Sequence, residues 1–128
     1  MRIIIVDDNP KSKCGWIMEL LEREGITYDI CTCINDTLKL LYYKSSLYNG
    51  MVLDMAIPRL RNDTNIIANG GTEIVQRLEK RGIFIPTVLN STMPLKEETF
   101  REFKSIKAIL PPIPSNGRKV LYSFLSNL

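Results

Sequence analysis

The chain opens on an apolar run, Ile3 to Val6, that stops at two adjacent acids, Asp7 and Asp8. Similar runs follow in "MVL" ahead of Asp54, in "IFIPTVLNST" and in "IKAILPP". Each is short and aliphatic, the pattern of a strand covered on both faces. A further strand is expected around Ile26 to Cys31. Between these runs the apolar positions fall at helical spacing. Cys14, Ile17, Met18 and Leu21 share one face of a helix predicted over "NPKSKCGWIMELLEREG", with Asn9 as its cap, Pro10 in its first turn and Gly25 at its exit. Asn35 or Asp36 caps a second helix through Leu38, Leu41 and Tyr42, ending near Ser45. A third, "GGTEIVQRLEKRG", turns Ile74, Val75 and Leu78 inward and stops at Gly82. "PLKEETFREFKS" reads as a short amphipathic helix opened by Pro94, and "SNGRKVLYSFLSNL" as a last helix with Val120, Leu121, Phe124 and Leu125 inward.

Strand and helix therefore alternate along the whole chain. The Asn-Gly pairs at 49–50, 69–70 and 116–117 sit at junctions between strand and helix, so none makes a hairpin between neighbouring strands. Such alternation implies one α/β domain over residues 1–128: a five-stranded parallel sheet with helices on both faces. The long polar stretch "RLRNDTNIIANGG", at about 59–70, interrupts the rhythm. Loops of that length are uncommon in compact domains. Ile66 and Ile67 argue that it packs, over the mouth of an acidic pocket or against a partner; a mobile surface excursion is the alternative.

Composition narrows the chemistry. At 128 residues with a net charge of +3 the chain has no dense Lys/Arg block, so nucleic-acid binding is not supported. No segment is long and apolar enough to span a membrane, and no signal-peptide pattern opens the chain, which points to the cytoplasm. Three cysteines without an export signal are expected to be reduced, with "CTC" (Cys31 to Cys33) as small apolar residues on a strand and not a metal knuckle. Histidine is absent. That removes His general bases, His metal ligands and His-activated nucleophiles, and leaves carboxylates, hydroxyls, lysines or an oxygen-held metal.

In open parallel sheets, functional groups gather beyond the carboxyl ends of the strands. Asp7 and Asp8 end the first strand and Asp54 ends the third. In the order 2-1-3-4-5 those strands are neighbours, and the three carboxylates converge. One acid alone would read as the solvated end of a strand or a helix cap. Three repelling charges at one edge need a counter-charge, and their oxygen donors suit Mg²⁺.

With "IIIVDDNP", "MVLDMAIP" and "IPTVLNST" in this order and spacing, the chain resembles the receiver domain of two-component response regulators over nearly its whole length. The resemblance implies a flavodoxin-like three-layer sandwich. It also implies that Asp7 and Asp8 bind Mg²⁺, with Asp54 and the backbone carbonyl of Ala56 completing the protein ligands. Asp54, followed by Pro58, matches the phosphoacceptor, Ser91 the switch hydroxyl, and Thr92 a backbone N–H donor. The implied reaction is phosphoryl transfer from a histidine kinase or phosphotransfer protein to Asp54, with the chain catalysing at most its own phosphorylation and dephosphorylation. The output protein is not named by the sequence, and a homodimer stays open.

The fifth strand departs from that pattern. Pro111 stands where the family has a phosphoryl-binding lysine, and Ala108 where it has an aromatic switch residue. Lys107 is too far back, about 13 Å along an extended strand. Arg59, Arg61 or Lys96 is left to supply the charge. If Pro112 keeps the family geometry, the Pro111–Pro112 peptide is cis. A pseudo-receiver, the fold kept as a phosphorylation-independent interaction module, is therefore the alternative. Other uses of the fold fit poorly. "DDNP" would repel a flavin phosphate, no G-x-G-x-x-G is present, and a haloacid-dehalogenase-type phosphatase would want an acid where Ala56 stands.

Overall fold

The computed structural model describes residues 1–92, Leu95, 97–111 and 114–128. Its main sheet contains β1 (Arg2–Val6), β2 (Thr27–Cys31), β3 (Gly50–Leu53), β6 (Thr87–Asn90) and β7 (Ile106–Leu110). All pair in parallel, in the order β2-β1-β3-β6-β7. Counted among themselves these strands run 2-1-3-4-5, as the sequence implies.

The opening aliphatic run is explained by the two faces of that sheet. Ile4 and Val6 join Met51 and Leu53 in one core, against α3 (Ile34–Lys44) and α4 (Gly70–Lys80). Ile3, Ile5 and Val52 join a second core with α2 (Gly15–Arg23) and α5 (Pro114–Ser126), through Ile17, Leu21, Leu121 and Phe124. Side chains alternate along a strand, so a strand covered on both faces must be apolar at every position. Each fully buried aliphatic side chain contributes about 1.5–3 kcal/mol.

Local chemistry differs from expectation at several joints. The first predicted helix is two: α1 (Pro10–Lys13) and α2, broken at Cys14. Asn9 makes no side-chain cap; its N–H donates to Asp7 Oδ1 at 2.8 Å, so the acid and not the amide shapes this turn. Neither Asn35 nor Asp36 caps α3. Cys33 does, its Sγ accepting from the Asp36 N–H at 3.5 Å, which takes Cys33 off the strand where "CTC" had placed it. All three cysteines are free and buried. The helix expected over "PLKEETFREFKS" is reduced, among the described residues, to a 3₁₀ turn at Glu97–Thr99; Pro94 lies outside them. Gly25 and Gly82 end their helices with φ of +68° and +75°, as expected of exit glycines.

The 59–70 segment is a fastened ribbon. β4 (Ile57–Pro58) pairs antiparallel with β5 (Ile66–Ile67). Arg59 forks onto Glu73 of α4 at 2.8 and 2.9 Å, and Arg61 grips Asp36 of α3 at 2.8 and 3.0 Å. Ile67 packs against the α3/α4 core while Ile66 stays exposed. The ribbon therefore covers the α3–α4 side.

Candidate functional site

Asp7 and Asp54 each lie one residue beyond a strand but remain hydrogen-bonded to the sheet. The Asp7 N–H donates to Cys31 O at 3.0 Å, and the Asp54 N–H to Val6 O at 2.9 Å. Their side chains thus leave the edge from fixed backbone. Asp7 is wholly buried and Asp54 is 4% exposed, while Asp8 is the most open of the three. Each of the three offers a carboxylate oxygen within 4.8 Å of the others. The convergence expected from topology is present.

Burial pushes the Asp7 carboxyl above the ordinary range, with the Asp54 charge adding to it and the Asn9 N–H and Lys13 opposing. Burial likewise raises Asp54, against the hydrogen bond and charge of Lys13 and the backbone N–H groups of Met55 and Ala56. The Cys14 thiol is pushed up to about 12 by burial and by Asp7, so it stays protonated and faces Asp7 Oδ2 at 3.4 Å as a donor. Asn90 donates to the Cys14 sulfur at 3.6 Å, tying the end of β6 to the same cluster. Two buried carboxylates held above their normal range mark a site short of positive charge. An all-oxygen donor set around that deficit fits a hard divalent cation such as Mg²⁺.

Part of the deficit is met by a residue that sequence reasoning missed. Lys13 Nζ lies 3.1 Å from Asp54 Oδ2 and 3.4 Å from Asp8 Oδ1. Burial lowers the Lys13 ammonium, but the Asp54 hydrogen bond and the charges of Asp54, Asp7 and Asp8 outweigh it and hold the group above its ordinary value. The arginines expected to replace the fifth-strand lysine are engaged elsewhere, Arg59 with Glu73 and Arg61 with Asp36. Lys96 lies outside the described residues. The available signal was the position of Lys13 five residues after Asp8, at the end of the short helix that follows the acid pair.

Ser91 and Thr92 follow directly on β6. With Lys13, Trp16, Asn90 and Pro111 they line a cavity of about 300 Å³. Residues 59–70 are not among the lining of this cavity; Ile67 packs on the α3/α4 core, and Arg59 and Arg61 are tied to those helices. Pro111 is thus in the wall, without a charge to offer. Ala108 lies on β7 and lines a groove of about 570 Å³ with Lys119 and Phe124. The peptide between Pro111 and Pro112 lies outside the described residues. Below the acids, α4 comes close: a Cβ on Gly71 would sit 2.5 Å from the Asp54 carbonyl oxygen.

No protein-family model matches the sequence, and no curated protein matches it. Solved structures do match. A response regulator receiver domain protein (CheY-like) from Methanospirillum hungatei superposes with a TM-score of 0.71 over 98% of this chain and 91% of its own, at 20% identity. The non-phosphorylated HemR receiver domain from Leptospira biflexa gives 0.72 over 98% and 94%, also at 20% identity. The receiver domain of the Francisella response regulator 1452 gives 0.68 over 99% and 98%, at 19% identity. This chain has the receiver fold. In the receiver fold adopted here, the neighbouring β1 and β3 bring Asp7, Asp8 and Asp54 to one mouth, and the end of β6 places Ser91 and Thr92 at a cavity shared with Lys13.

Proposed function

We propose that the chain is a signal-transduction receiver domain, phosphorylated on Asp54 by a histidine kinase or phosphotransfer protein and acting through contacts with an output protein. One observation carries this reading: Asp54 is buried at the end of β3, with oxygens of Asp7 and Asp8 within 4.8 Å and an ammonium at 3.1 Å. A carboxylate so placed is a nucleophile whose product gains more negative charge, and the surroundings are arranged to receive it. Asp7, Asp8 and Asp54, with the Ala56 carbonyl, would hold Mg²⁺, which supplies charge neutralisation on the phosphoryl group. Ser91 and the Thr92 N–H would hold its outer oxygens. The chain is then a phosphoacceptor that promotes its own phosphorylation and dephosphorylation at most. Among the described residues no helix is long and apolar enough to cross a membrane. A cytoplasmic site of action accords with this reading, and a homodimer with its mode of action.

The test is intact mass after incubation with phosphoramidate and Mg²⁺. A single phosphate adduct on the wild type, absent from Asp54→Asn, is the expected result. Its absence at saturating Mg²⁺ favours the second reading, a phosphorylation-independent interaction module. Pro111 in the cavity wall and the groove at Ala108 support that alternative.

A further inference from the structure

We propose that Lys13, from the short helix after β1, is the cation that holds the transferred phosphoryl group, and that in the metal-free protein it serves as counter-ion to Asp54 and Asp8. The inference rests on the receiver reading above.

Among the described residues Lys13 is the one cation ion-paired with any of the three acids, and it touches the acceptor oxygen itself. Its position suits movement. It ends a helix of four residues, its side chain is 32% exposed, and no core packing depends on its ammonium. It also lines the cavity that Asn90, Ser91 and Thr92 share, so amide and hydroxyl groups border one side of the space beside its ammonium, with Trp16 and Pro111 among the other walls.

Charge arithmetic gives the reason to move. Three carboxylates carry three negative charges, which one divalent ion and one ammonium cancel. Phosphorylation turns Asp54 from a monoanion into a dianionic acyl phosphate, and the ammonium then finds its strongest partner on the phosphoryl oxygens. In the transfer from phosphoramidate, an Asp54 carboxylate oxygen forms the new bond to phosphorus. The donor is the zwitterion, its nitrogen already carrying the third proton; the phosphorus–nitrogen bond breaks with its electron pair leaving on nitrogen, and neutral ammonia departs. Lys13 stays an ammonium throughout and gives up no proton. Because it occupies two of the metal's own ligands beforehand, its charge must also oppose Mg²⁺ entry.

The experiment compares wild type, Lys13→Met and Lys13→Arg by Mg²⁺ calorimetry and by the rate of phosphate uptake from phosphoramidate at saturating Mg²⁺. Thermal melts of each variant verify the fold. Lys13→Met is expected to bind Mg²⁺ roughly tenfold more tightly and to take up phosphate at least about tenfold more slowly. Lys13→Arg is expected to keep most of the rate. A Lys13→Met protein phosphorylated as fast as the wild type, or with unchanged Mg²⁺ affinity, overturns the proposal and leaves the receiver reading standing. A wild type that binds Mg²⁺ but takes up no phosphate overturns that reading, and the phosphoryl role of Lys13 falls with it.

Discussion

Asp7 and Asp54, beyond the ends of β1 and β3, differ from Asp36 and Glu73, on α3 and α4, in how their charge is met. All four have a cation or a donor in reach. The helix acids are half-buried and are gripped by arginines, Arg61 on Asp36 and Arg59 on Glu73, whose hydrogen bonds pull both carboxyls below the usual range. The pocket acids are buried, and desolvation outweighs the contributions of Lys13 and the backbone, so both lie above it. In the ribbon, charge fastens one element to another. In the pocket, charge is stored at a cost to stability, a cost that makes sense where a cation and a phosphoryl group are to be received.

The pocket is most vulnerable from below. Gly71 lies against the Asp54 backbone, where a methyl group would overlap a carbonyl oxygen and approach Met55 Cα to 3.0 Å. Gly71→Ala is expected to destabilise the fold by about 3 kcal/mol and to displace Asp54, read as a lower urea midpoint and weakened Mg²⁺ binding.

A smaller effect is expected at Asp7. Acids whose folded pKa is raised bind protons more readily folded than unfolded, so their ionisation lowers stability as pH rises from 3.8 through the folded value. Asp7→Asn removes one such charge while its carbonyl oxygen can still accept the Asn9 N–H. In metal-free buffer at pH 7 the variant is expected to melt about 3–5 °C higher than the wild type, with the stabilisation by added Mg²⁺ largely lost.

The smallest effect is expected at the ribbon, where the sign is opposite. Asp36 has a lowered folded pKa, so its contribution is present above 3.8 and is lost as pH falls through the folded value. Arg61 is well exposed, so Arg61→Ala should lower the melting temperature at pH 7 by no more than about 3 °C. It should also flatten the loss of stability below pH 4 and leave Mg²⁺ binding untouched. A large change in metal affinity on removing Arg61 would mean that ribbon and pocket are coupled.

The parts legible in the sequence were those written in short-range patterns. Ile3 to Val6 read as a doubly covered strand, because four consecutive β-branched residues, cut short by two acids, suit a strand buried on both faces better than a helix. Exit glycines at 25 and 82 were legible for the same local reason. The break at Cys14 was not, since Cys14, Ile17, Met18 and Leu21 keep helical spacing across it. Nor was the Cys33 cap, where a thiol takes a place usually held by oxygen.

By itself, then, the sequence determined the alternation of strands and helices and the placing of acids at the ends of the first and third strands. Periodicity and residue type are local properties, and local properties survive in one dimension. Tertiary structure decided which cation meets those acids. Lys13 and Asp54 are 41 positions apart, and no spacing rule joins them. They meet because β1 and β3 pair side by side and the chain after Asp8 folds back over the sheet edge. It likewise directed Arg59 and Arg61 to α3 and α4, since the ribbon lies against those helices. Coulomb attraction acts through distance in space, and only the packed chain sets that distance.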